Sequence, residues 1–199
     1  MDPVAHKAGP TMVRALAMVK VWDLGVRLFH WGLVLSVTAA YLLAEQRSLH
    51  RKLGYVVMGL IAFRLIWGLV GTHHARFASF VPGPARFLRY LRDIAARREA
   101  RHLGHNPAGA GMIVALLVML AGIAATGWMM GMDAYFGVEW VEDAHQTLVN
   151  GLIVLVILHL IGVAVASLRH RENLVKAMVT GLKAADDPSH PAPKVPPAS

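Results

Sequence analysis

The sequence predicts an all-α integral membrane protein, a four-transmembrane-helix bundle with both termini cytoplasmic. Three observations carry that expectation. Of 199 residues, 56% are hydrophobic and only 16% charged, and the mean hydropathy is +0.48, beyond an ordinary soluble domain. Four apolar runs, at about 28–45, 53–71, 109–131 and 146–168, approach or reach the ~20 residues a helix needs to cross a hydrocarbon core. Sixteen of the 20 Lys and Arg residues lie on one side of those runs, against Arg47, Arg51 and Lys52 on the other, and the positive-inside rule makes the richer side cytoplasmic. The runs lack the period-2 alternation of barrel strands, which leaves helices as the spanning element.

The N-terminal segment, residues 1–27, carries Lys7, Arg14, Lys20 and Arg27 and is read as cytoplasmic. The first run follows it without a clear small-residue cleavage site, so it is expected to stay in the mature chain as a helix. Helices 1 and 2 are joined on the outer side through "EQRSLHRK", and helices 3 and 4 through "MDAYFGVEWVED". The transmembrane domain is assigned to residues 28–168, interrupted at 72–108 by a basic cytoplasmic loop. Within that loop "ARFLRYLRDIAARREAR" sets Phe87, Leu88, Leu91 and Ile94 at helical spacing among arginines. The pattern suits a helix on the cytoplasmic leaflet, apolar side toward lipid, with a solvated basic helix as the competing account. The tail, 169–199, adds Arg169, Arg171, Lys176, Lys183 and Lys194 and becomes proline-rich from Asp186. With little to bury, it is expected to be disordered from about 186.

The formal charge of +8 therefore reflects topology, and nucleic acid is not an expected partner; membrane lipid is. The chain has no cysteine, which excludes disulfides, cysteine-ligated iron–sulfur clusters, thiolate nucleophiles and covalent c-type haem attachment.

Among eleven histidines, His30, His50, His145 and His159 stand out by depth, because ionisable groups inside a membrane are costly and usually functional. Fourteen residues of helix separate His145 from His159 by about 21 Å and return them to within about 40° of one face. Helix 1 enters from the cytoplasm and helices 2 and 4 from outside, so depth pairs His50 with His145 near the outer level and His30 with His159 near the inner one. Tetrahedral zinc needs four ligands, and pairs that far apart cannot pool them. A porphyrin brings four equatorial nitrogens and leaves two axial positions. Two haems b, each iron held by two imidazoles from different helices, fit best; single histidines that only hydrogen-bond between helices are the competing account. His73 and His74, at the cytoplasmic end of helix 2, lack partners at their own level and are read as interfacial.

Arg64 lies fourteen residues after His50, on nearly the same face and at the inner depth. A haem propionate is a natural partner for a buried guanidinium, and snorkelling to cytoplasmic headgroups competes with it.

The motifs "RLFHW" (27–31), "LHRKLGY" (49–55), "FRLIWG" (63–68), "AHQTLVNG" (144–151) and "ILHLIG" (157–162), in this order and spacing, resemble the bacterial cytochrome b561 family, which overlaps the b-type cytochrome subunits of nickel–iron hydrogenases. The resemblance spans about residues 20–180; "GHNPAG" before helix 3 shares it without an assignable role. It implies a multi-pass cytochrome of the bacterial inner membrane with two haems b, ligated by His30, His50, His145 and His159. Such a protein would move electrons between the quinone pool and a periplasmic redox partner, such as a cytochrome c. The alternative is a stand-alone oxidoreductase, such as a superoxide:quinone oxidoreductase.

Overall fold

A computed structural model describes residues 18–98, 102 and 104–184. The expected disorder from about 186 lies outside the described residues, as do Lys7, Arg14, Arg101 and Lys194. Four helices are long and apolar enough to cross a membrane: α1 (Leu24–Leu42), α2 (Arg47–Val70), α5 (Pro107–Met129) and α6 (Glu139–Arg169). Between them lie the short α3 (Phe77–Phe80), α4 (Pro84–Ala95) and a 3-10 turn at Asp133–Tyr135, and α7 (Leu174–Thr180) follows.

Several boundaries differ from the apolar runs. α2 begins at Arg47 rather than near 53, and α6 at Glu139 rather than near 146. Hydropathy marks only the part of a helix immersed in hydrocarbon, whereas a helix continues into the headgroup region, where Arg47, Arg51, Lys52, Glu139 and Glu142 are solvated. His50 and His145 consequently sit inside helices. Most of "EQRSLHRK" is helical, and the last five residues of "MDAYFGVEWVED" open α6.

Helix starts follow local chemistry. Asp23 caps α1 by accepting from the Val26 N–H (2.8 Å). Asn106 caps α5 by accepting from the Gly109 N–H (2.7 Å), with Pro107 at the first helical position, where its missing N–H costs nothing. α1 packs on α2, α2 on α5 and α5 on α6. The α5–α6 approach is close because it is lined by glycine: a Cβ on Gly122 would meet Leu148 at 3.1 Å, and one on Gly151 would meet Met119 at 3.1 Å. Small residues let helix backbones approach where lipid supplies no hydrophobic drive for association.

Val57, Ile61, Leu120 and Leu152 form a central core, with Leu33, Val37, Leu116, Met119, Ile123 and Ala124 packed around it. A second cluster, Val21, Trp22, Val26, Ala75 and Ala177, closes the end of the bundle where the described chain begins and finishes. There Met18–Lys20 (β1) pairs antiparallel with Leu182–Ala184 (β2), placing both ends of the described chain on one face. Gly181, at φ +83°, turns the chain from α7 into β2, and its carbonyl accepts from the N–H groups of Val21 (2.9 Å) and Trp22 (3.1 Å). Lys183, buried, pairs with Glu172 (3.1 Å) and donates to the His102 carbonyl (3.1 Å).

The basic segment does form a helix, α4, but its apolar residues divide. Tyr90 is buried and Phe87 packs over Gly111 of α5, while Leu88 and Leu91 stay exposed. α4 thus docks on the bundle through one side and leaves a narrower apolar side open than the leaflet reading expects.

Candidate functional site

His50 on α2 and His145 on α6 come together, with ring centroids 6.3 Å apart and planes at 75°. The other two long helices hold the rings. His50 Nδ1 lies 2.9 Å from the Ala40 carbonyl at the end of α1. A carbonyl only accepts, so Nδ1 carries the proton and Nε2 keeps its lone pair. His145 Nδ1 lies 3.0 Å from Thr126 Oγ1 on α5, and that hydroxyl reaches the carbonyls of Gly122 (2.9 Å) and Ile123 (3.1 Å). With the Thr126 proton donated to a carbonyl, its oxygen accepts from His145, and here too Nε2 is left for a ligand. Gly127 makes the approach possible, since a Cβ there would sit 3.2 Å from His145 Cε1.

Two imidazole nitrogens bound at about 2 Å on opposite sides of one metal put their ring centroids roughly 6 Å apart. The His50–His145 separation fits that requirement. Among the described residues no three of His, Cys, Asp or Glu converge to hold a metal ion, so a pair of imidazoles suits a metal that brings its own equatorial donors, as haem iron does.

His30 lies on α1 and His159 on α6. His30 Nδ1 is a buried nitrogen without a hydrogen-bond partner, and its ring meets Trp31 edge to face at 5.0 Å. A buried imidazole nitrogen without a partner is costly, and His30 thus lacks the outer hydrogen bond that holds His50 and His145. The core layer lies between the two levels: Val57 falls seven residues after His50, and Leu152 falls seven after His145 and seven before His159.

Arg64 is 3% exposed. Its Nη1 donates to the Ala75 carbonyl (3.1 Å), and its guanidinium lies over the rings of Phe77 (4.6 Å) and Phe80 (5.9 Å). It is therefore folded against the turn that follows α2.

Other features of this end were not legible in sequence. Asp23, besides capping α1, accepts from Trp67 Nε1 (3.2 Å) and Thr72 Oγ1 (2.5 Å), joining α1 to the end of α2. Burial acts to raise the Asp23 pKa, but the hydrogen bonds from Thr72, Val26 and Trp67 outweigh it and hold the carboxyl below its ordinary value. His73 and His74 follow α2 and, with Ser79, Phe80, His102, Gly104 and His105, line a cavity of about 180 Å³. His105 lies between Trp22 (4.4 Å) and Phe80 (4.8 Å). Burial, followed by the charges of Arg64 and Lys183, pushes its pKa down to about 3.

Four membrane-length helices with imidazoles facing one another define a helical membrane protein suited to a b-type cytochrome. Residues 21–181 match the family described as Prokaryotic cytochrome b561, and the chain belongs to that family. Relatives include proteins named "Probable Ni/Fe-hydrogenase B-type cytochrome subunit" from three bacteria. The Azotobacter chroococcum mcd 1 protein is 26% identical over 90% of this chain and 94% of its own length. That of Azotobacter vinelandii is 25% identical over 90% and 94%, and that of Bradyrhizobium diazoefficiens 24% over 91% and 97%. No solved structure matches the chain. The protein is a multi-pass membrane b-type cytochrome of the hydrogenase and b561 type, which implies haem b and transmembrane electron transfer.

Proposed function

We propose that the chain holds two haems b in the bacterial inner membrane, with both termini cytoplasmic, and exchanges electrons between the quinone pool and a redox protein on the periplasmic side. His50 and His145 are assigned to the outer haem, and His30 and His159 to the inner. Bound haem b supplies a one-electron iron couple at each level.

The observation that carries this reading is the His50–His145 pair, with each Nδ1 engaged and the rings 6.3 Å apart. The protein's own contribution is positional. Ala40 and Thr126 set ring orientation and tautomer, and the Val57–Ile61–Leu120–Leu152 layer keeps the two levels apart in an apolar medium. Arg64 spends one N–H on Ala75 and, with five donors in its fork, retains others for a propionate. The excess of Lys and Arg in the segments that flank the paired strands β1 and β2 supports a cytoplasmic assignment for that face and for residues 72–108.

On the opposite face Asp133, Glu139, Glu142 and Asp143 are exposed and offer an acidic surface to a redox partner. The relatives' names make a hydrogenase one candidate for that partner, and a basic cytochrome c is another.

The test is haem content with optical redox titration. The parent should bind two low-spin haems per chain, and His50→Ala and His145→Ala should each lose the same one. Loss of different haems from these two variants, or retention of both, overturns the assignment.

A further inference from the structure

The two proposed levels are not equivalent. At His50 the Nδ1 acceptor is a main-chain carbonyl, at His145 it is a side-chain hydroxyl, and His30 Nδ1 has no acceptor. Only the Thr126 contact can be removed by changing a side chain that is not itself an imidazole.

We infer that Thr126 is a positioning residue that sets the electron density and orientation of the His145 ring, and through it the reduction potential of the haem held there. This rests on the assignment of His145 as an axial ligand. Thr126 Oγ1 lies 3.0 Å from His145 Nδ1 and within 2.9 and 3.1 Å of the Gly122 and Ile123 carbonyls one turn back on α5. A threonine in a helix commonly turns its hydroxyl toward such carbonyls. Here that habit has a consequence, because the hydroxyl proton is directed into α5 and the oxygen faces the imidazole.

Donation of Nδ1–H to that oxygen makes the ring a stronger donor through Nε2, the effect an outer hydrogen-bond partner exerts on a metal-bound histidine. A more basic axial ligand favours the oxidised, more positive iron, so Thr126 lowers the potential of this centre. Gly127, the next residue, leaves the ring room to sit in this register: a Cβ would meet Cε1 at 3.2 Å and Nδ1 at 3.6 Å. The hydroxyl touches only Nδ1 and leaves Nε2 untouched, so removing it should retune the ligand rather than release the haem.

Thr126→Val keeps the β-branched shape and removes the hydroxyl, whereas Thr126→Ser restores it. In the purified holoprotein, Thr126→Val should retain both haems and shift one titration step upward. A roughly tenfold change in the reduction equilibrium corresponds to about 59 mV for one electron. The low-temperature electron paramagnetic resonance envelope of the same haem should change, since it reports imidazole orientation, and Thr126→Ser should return both signals to the parent's. A role confined to helix packing would alter thermal stability without moving either.

His145→Ala separates the two levels of the argument. If His145→Ala removes one haem and Thr126→Val leaves every potential and the resonance envelope unchanged, the role of Thr126 is refuted and the ligand assignment survives. If His145→Ala retains both haems in low-spin form, the assignment fails and the inference with it. Should Thr126→Val not accumulate, Thr126→Ala read against Thr126→Ser decides by the same criterion.

Discussion

Replacing Arg64 by leucine removes a buried positive charge near the depth of His159 while leaving α2 a continuous helix. Fourteen residues of rise put Arg64 about 21 Å beyond His50, the same rise that separates His159 from His145, and neighbouring helix axes lie about 8–10 Å apart. A unit charge ~10 Å from the iron proposed at His30 and His159 interacts with it by about 1.7 kcal/mol at an effective dielectric near 20. For a one-electron couple that is about 70 mV. A nearby cation favours the more negative, reduced form, so Arg64→Leu should lower the inner potential by up to ~70 mV. The outer centre, about twice as far away, should move by half of that or less. Arg64→Lys retains the charge but exchanges the planar fork over Phe77 and Phe80 for a point donor. It should titrate close to the parent while losing about 1–2 kcal/mol of thermal stability. The assay is an optical redox titration of both proposed haems in purified protein, with melting followed in parallel. Parent-like potentials in Arg64→Leu would refute the electrostatic reasoning and leave Arg64 as an anchor for the Ala75 turn.

Neutralising Asp133, Glu139, Glu142 and Asp143 together should slow electron exchange with a basic carrier by about tenfold at low ionic strength, with the difference collapsing at high salt and exchange with a neutral quinol nearly unchanged. Equal rates for quadruple variant and parent at low salt would remove this surface as the docking site. His105 makes a pH prediction. Folded, it stays neutral down to about pH 3, whereas its ordinary value is 6.5, so between those limits the unfolded chain binds the extra proton. Stability is then full above about pH 6.5 and declines as the pH falls toward 3. His105→Phe, which cannot titrate between Trp22 and Phe80, should flatten this decline in melting temperatures measured from about pH 7 to about pH 4.5; an unchanged slope would place the acid sensitivity elsewhere.

The sequence by itself determined the four membrane helices and the heights of the histidines along them. Both are properties of single segments, because lipid forces each backbone to satisfy its hydrogen bonds internally and the rise per residue then converts residue number into depth. Pairing His50 with His145 needed only that conversion and the alternation of direction between spans, and the rings do approach each other. It could not determine how the helices rotate and slide against one another, since apolar faces on all sides leave that to close packing. Tertiary structure therefore decided which groups face the rings. Thr126 on α5 and the Ala40 carbonyl on α1 lie on helices other than those of the histidines they hold, and no periodicity links them. It also decided the orientation of Arg64, which depth alone left open. The turn after α2 folds back to offer the Ala75 carbonyl and the Phe77 face, so the guanidinium is held inside the bundle end. The β1–β2 pairing joins residues some 160 positions apart, and no local pattern in two three-residue strands could specify it. It depends on the even number of crossings that return the chain to the face from which it started.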